Sequence, residues 1–122
     1  MSLKKLHEAV SAALRAAKVP QSVASKVLVV IDEAASRYRV NNLQELFSMP
    51  EWYQWLFLVK GIVSPIARLL RSEGYCNAVY YVVTALSMLD ERIEAMLKTW
   101  IRDRCSGGID PCCSNPPCCN VQ

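Results

Sequence analysis

The chain is predicted to be all-α: a compact bundle of four main helices, over about 3–18, 20–39, 49–72 and 75–104, followed by an irregular tail rich in cysteine and proline. Three observations predict this. Apolar residues recur at helical spacing through most of residues 3–104. The most regular series, Val79, Val82, Leu86, Leu89, Ile93, Met96 and Trp100, alternates steps of three and four, which places one apolar seam along one helix. The composition, 52% hydrophobic and 20% charged, is that of a globular chain rather than a disordered one. At 122 residues the chain divides into a helical domain, 1–104, and a cysteine-rich tail, 105–122.

The first helix carries Leu3, Leu6, Val10, Ala13, Leu14 and Ala17 on one stripe, with Ser2 placed to cap it. Val19-Pro20 is expected to end it, because the residue before a proline avoids the helical region. Val23, Val27, Val30, Ile31, Ala34 and Tyr38 form the stripe of the second helix. Its β-branched run from Val27 to Ile31 also suits a strand. The helical period continues past it through Asp32 and Glu33 without a turn signal, so helix is the preferred reading. Leu43 to Phe47 is expected to be a short helical turn.

Ser48 and Glu51 have the Ser-x-x-Glu spacing of a capping box, with Phe47 and Trp52 in staple positions and Pro50 in the first turn. These predict a helix from Met49. Pro65 interrupts that helix, and with Gly61 four residues earlier it predicts a kink. Gly74 suits the left-handed position that closes the segment. Trp52, Tyr53 and Trp55 sweep most of a helical turn, so at least one of them is expected at a surface.

The stretch 75–104 is expected to be one uninterrupted rod that organises the bundle, stopped by Gly107 and Gly108. Its seam must lie on the preceding helices or on a second copy of the chain, and both readings stay open. The residues expected at an interface are Trp52, Trp55, Val82, Leu86, Leu89, Ile93, Met96 and Trp100. The most apolar segments, 52–70 and 75–89, are broken or too short for the roughly 20 apolar residues of a membrane span. A membrane hairpin is therefore not expected.

The formal net charge is only +3, but it is uneven. Before residue 40 seven basic residues stand against three acidic ones. Lys4, Lys5, Arg15, Lys18 and Lys26 are the candidates for phosphate contact if the partner is a nucleic acid. A solvated helix face is the plainer reading.

The tail holds Cys105, Cys112, Cys113, Cys118 and Cys119, which with Cys76 make six cysteines. Disulfides are the preferred reading. A zinc site on the five tail cysteines is the alternative, weakened by the absence of Cys-x-x-Cys spacing and of a nearby histidine. A free tail, reactive or lipid-modified, is the third. No secretory signal pattern is visible. Disulfides require an oxidising compartment or a hyperthermophile cytosol, and the expectation is a cytoplasmic protein of a hyperthermophile or a virus-encoded one.

Catalytic signatures do not stand out. The single histidine, His7, sits beside Glu8 on an amphipathic helix. Asp90, Glu91 and Glu94 are interleaved with Arg92 and Lys98, as on a solvated face. No phosphate loop, metalloprotease motif or nucleophile elbow occurs. The expectation is a non-enzymatic interaction or assembly protein, self-associating or bound to a helical partner, without a cofactor unless the tail holds zinc. The alternative is a small nucleic-acid binder.

Overall fold

The computed structural model describes residues 3–106, with side chains as far as residue 102. Among these residues there are six helices and no strand. They are α1 (Lys4–Ala16), α2 (Gln21–Tyr38), α3 (Leu43–Phe47), α4 (a continuous run over 51–72), α5 (Cys76–Ser87) and α6 (Glu91–Ser106). The all-α expectation holds, with six helices where four were expected. The tail lies outside the described residues.

One apolar cluster joins all six helices. α1 packs chiefly along α5, and α2 along the middle of α4. Leu6, Val10, Val27, Ile31, Leu46, Phe57, Ile62, Leu86, Ile93 and Leu97 are fully buried in that cluster. Each such side chain contributes about 1.5–3 kcal/mol of transfer free energy.

The expected rod over 75–104 is two helices. α5 stops at Ser87, Met88 stands 81% exposed in the turn, and α6 begins at Glu91. The cause is Asp90. Its Oδ1 accepts the Arg92 backbone N–H at 2.8 Å, satisfying a donor that only an N-terminus leaves open. Glu91 and Glu94 in the first turn suit the positive end of the new helix. The seam survives the break: Val79, Val82, Leu86, Ile93 and Trp100 all reach the core from their two helices.

The capping box also forms elsewhere. Ser48 ends α3 and its hydroxyl donates to the Glu45 carbonyl at 2.7 Å, so it does not cap Glu51. Asn42 does the capping, with Oδ1 accepting from Glu45 N–H at 2.7 Å. Glu45 Oε1 reaches back to the Asn41 N–H at 3.0 Å. α4 starts at Glu51 behind an extended Pro50, with no side-chain cap.

Three helix ends share one device. α1 stops at Ala16, ahead of Val19-Pro20, and Lys18 turns left-handed at φ 61°. Arg39 does the same after α2 at φ 55°, and Gly74 after α4 at φ 90°. In each case the next amide bonds to the carbonyl five residues back: Val19 to Leu14, Val40 to Ala35 and Tyr75 to Leu70. Val19 and Val40 then turn into the core.

The expected kink at Pro65 is instead a change of winding. Leu56–Val63 is π-helix, flanked by α-helix on both sides. Ser64 N–H donates to the Val59 carbonyl, five residues back. Pro65 follows and has no N–H to give, so the ladder changes register where a donor is missing anyway. The wider turn suits this segment, because Phe57, Leu58, Val59, Gly61, Ile62 and Val63 are all buried. Gly61 lies against the Tyr38 ring, where a Cβ would stand 2.9 Å from Tyr38 Cε2.

Candidate interaction surface and cationic cleft

The start of α4 sorts its aromatic residues by hydrogen bonding. Tyr53 donates its hydroxyl to the Tyr38 carbonyl at 2.6 Å, which ties that face to the end of α2. Gln54 is buried, and its Nε2 donates to the Met49 carbonyl at 2.9 Å. With residues 53 and 54 held inward, Trp52 and Trp55 face out, 65% and 39% exposed. Trp52 meets Tyr53 edge-on, with ring centroids 5.6 Å apart. Lys60 Nζ stands 5.9 Å above the Trp55 ring.

Trp55 is also one wall of a cleft of about 500 Å³ between α4 and α6. Val59, Lys60, Ser64 and Arg68 line it from α4, Thr99 and Trp100 from α6. Lys60, Ser64 and Arg68 follow one another at four-residue steps, so one helix face supplies two cations and a hydroxyl. Lys60 and Arg68 are exposed at the rim, while Ser64 is only 9% exposed. No acidic side chain lines the cleft. Thr99 Oγ1 donates to the Ala95 carbonyl at 3.3 Å and keeps acceptor capacity.

The residues expected at an interface divide. Val82, Leu86, Ile93 and Trp100 are buried within the chain, and Leu89 and Met96 are half-buried against the core. The seam is therefore used internally and does not offer a free face. Trp52 and Trp55 remain at the surface, joined among the exposed large apolar residues by Val29, Tyr81 and Met88.

The basic residues proposed for nucleic acid are also divided. Lys26 Nζ pairs with Glu73 Oε2 at 3.0 Å, and Lys4 Nζ lies 3.9 Å from Glu8 Oε2. Lys5, Arg15 and Lys18 are exposed. His7 Nε2 stands 2.9 Å from Asp32 Oδ1, bringing α1 to α2, though the approach lacks the angle of a hydrogen bond. No group of three or more histidine, cysteine or acidic side chains suited to a metal occurs among the described residues. The zinc or disulfide expectations for Cys105, Cys112, Cys113, Cys118 and Cys119 rest on side chains outside them. No described helix is long and apolar enough to cross a membrane.

Sequence reasoning missed the cleft. Lys60 and Arg68 read there as polar interruptions of an apolar segment. The signal was their four-residue spacing about Ser64, on the side of α4 that carries Trp55. No protein-family model matches the chain, and no curated protein or solved structure is significantly similar to it.

Proposed function

We propose that the chain is a small helical interaction and assembly protein that docks on a second copy of itself through the ridge of Trp52 and Trp55. The exposure of Trp52, on a helix start pinned by Tyr53 and Gln54, carries this reading. A large, rigid aromatic at a surface is the residue type that dominates binding energy at protein interfaces. A two-fold contact uses the same patch on both copies, so the ridge needs no second surface.

The tail belongs to the same proposal, as a cross-linked segment tied to the helical domain. Cys76, half-buried in the first turn of α5, is the residue through which we tie the tail to the helical domain, by a disulfide rather than by zinc. The nucleic-acid alternative draws less support, because Lys4 and Lys26 already have acidic neighbours.

Sedimentation velocity across a concentration series tests the docking. A dimer that tolerates high salt, and that Trp52→Ser converts to a monomer of unchanged helicity, is the expected result. A chain monomeric at every concentration, or a dimer indifferent to both Trp52→Ser and Trp55→Ser, overturns it.

A further inference from the structure

We propose that the cleft between α4 and α6 binds a small organic anion, a phosphate or carboxylate head group on a flat apolar body. The proposal shares Trp55 with the docking reading but not Trp52, so the behaviour of the Trp52 indole tells the two apart.

Charge comes first. Lys60 and Arg68 stand at the rim with no acidic partner among the described residues, and no lining residue is acidic. Their positive field inside a concave wall is focused into the cleft rather than dissipated along a surface. The Arg68 guanidinium offers a planar fork that matches carboxylate or phosphate oxygens, and the Lys60 ammonium adds a point charge.

Ser64 supplies the second observation. It is more than nine-tenths buried, lines the cleft, and its hydroxyl makes no hydrogen bond among the described residues. The hydroxyl itself is open to the cleft, and an anion seated between Lys60 and Arg68 would accept its proton in place of solvent. Thr99 faces Ser64 across the cleft with a lone pair still open.

The remaining walls are apolar. Trp55 and Trp100 contribute indoles and Val59 an aliphatic floor. These suit a flat ring or short chain attached to the head group, and a bare inorganic anion would leave them uncovered. A volume of about 500 Å³ is within the range of small-molecule sites. Two cations do not track a nucleic-acid backbone.

The three tryptophans give the test an internal reference. Phenyl phosphate and benzoate are titrated into the full oxidised chain, and the three indole N–H resonances are followed. The expected result is a saturable shift of Trp55 and Trp100 with either ligand while Trp52 stays still. Phenol and inorganic phosphate should bind at least about tenfold more weakly than phenyl phosphate. The double variant Lys60→Gln, Arg68→Gln alters only exposed side chains and should weaken phenyl phosphate by about tenfold or more. Ser64→Ala should weaken it by a smaller factor. Equal affinity for phenol, equal affinity for inorganic phosphate, an unchanged double variant, parallel shifts of all three indoles, or no saturation by about 10 mM would each overturn the proposal.

Discussion

The guanidinium of Arg92 lies 3.7 Å from the centroid of the Phe47 ring. The same guanidinium is forked on Asp90, with Nε 3.0 Å from Oδ1 and Nη2 3.1 Å from Oδ2. Phe47 ends α3 and Asp90 starts α6, so one cation joins two helix boundaries that are far apart in sequence. Arg92 acts here less as a solvated charge than as a clamp, which is why the turn after α5 has one defined geometry.

Asp90 makes the clamp pH-dependent. Hydrogen bonds from the Arg92 side chain, then from its backbone N–H, hold the Asp90 carboxyl below its usual value, against a smaller opposing effect of burial. A depressed folded pKa means that the ionised form stabilises the fold above the ordinary carboxylate range. That contribution is lost as pH falls through the lowered value. Asp90→Asn keeps a good cap and removes the charge. Urea denaturation should find the variant less stable at pH 6, with the difference shrinking toward zero near about pH 2. A gap that persists in acid would point to geometry rather than charge.

Gly61 is predicted to be intolerant of even one methyl. A Cβ there stands 2.9 Å from Tyr38 Cε2 and 3.3 Å from Cδ2. Tyr38 cannot swing away cheaply, since its ring packs edge-on against Tyr53 at 6.0 Å and Phe57 at 5.9 Å. Alanine gains about 1 kcal/mol in helix propensity over glycine. Overpacking of a close contact costs about 1–3 kcal/mol, so a net loss is expected for Gly61→Ala. Combining it with Tyr38→Leu should recover most of that loss, and a double-mutant cycle measures the coupling. Additive costs would show that the contact is not the reason for the glycine.

Lys18 and Arg39 occupy backbone conformations that favour glycine. The left-handed region costs a side-chain-bearing residue roughly 1–2 kcal/mol, partly offset by the freedom glycine has in the unfolded chain. Lys18→Gly and Arg39→Gly should therefore each stabilise the fold by about 0.5–1 kcal/mol in thermal or urea unfolding. Gly74→Ala is the mirror test. Nothing lies within 4 Å of its added Cβ, so its cost, about 1 kcal/mol, would be backbone strain alone.

Cys76 links the proposal for the tail to stability. A disulfide from Cys76 to any of the other cysteines closes a loop long enough to contribute about 3–4 kcal/mol through the unfolded chain. Cys76→Ser should lower the unfolding midpoint by a comparable amount. Reductant should do the same to the wild type and have little further effect on the variant. Intact mass before and after reduction counts the bonds, and an unchanged midpoint on reduction would detach the tail from the stability of the helical domain.

Much of the fold was legible in the sequence. The stripes of α1 and α2 supply most of the buried residues of those helices, with Ala17, Val30 and Tyr38 half-buried and Ala24 added, because a one-sided apolar pattern has one way to be satisfied. The seam from Val79 to Trp100 also points inward throughout. What periodicity could not supply was continuity. A heptad pattern runs undisturbed through Leu89 and Asp90 because the two helices that share it meet one core, so the break is written only in the capping chemistry of Asp90. Likewise Ser48-x-x-Glu51 and Asn42-x-x-Glu45 both fit a capping box. The outcome turned on Ser48 being occupied by the Glu45 carbonyl, a contact between neighbouring elements. The π stretch left no trace because Leu56–Val63 is apolar on nearly every side, and a segment without a polar face has no visible period. The cleft was hidden for the opposite reason: its polar residues looked like flaws in an apolar segment.

The π stretch makes α4 a helix holding one residue more than its length requires. Deleting a single residue between Trp55 and Ser64 would let the run wind as ordinary α-helix at about 100° per residue. The tighter winding would offset most of the rotation lost with the residue, so Trp55 and the half that carries Ser64 and Arg68 would keep roughly their present relation. The spare residue is thus a removable spacer, and evolution or an engineer can take it out and leave the α4 wall of the cleft largely in place.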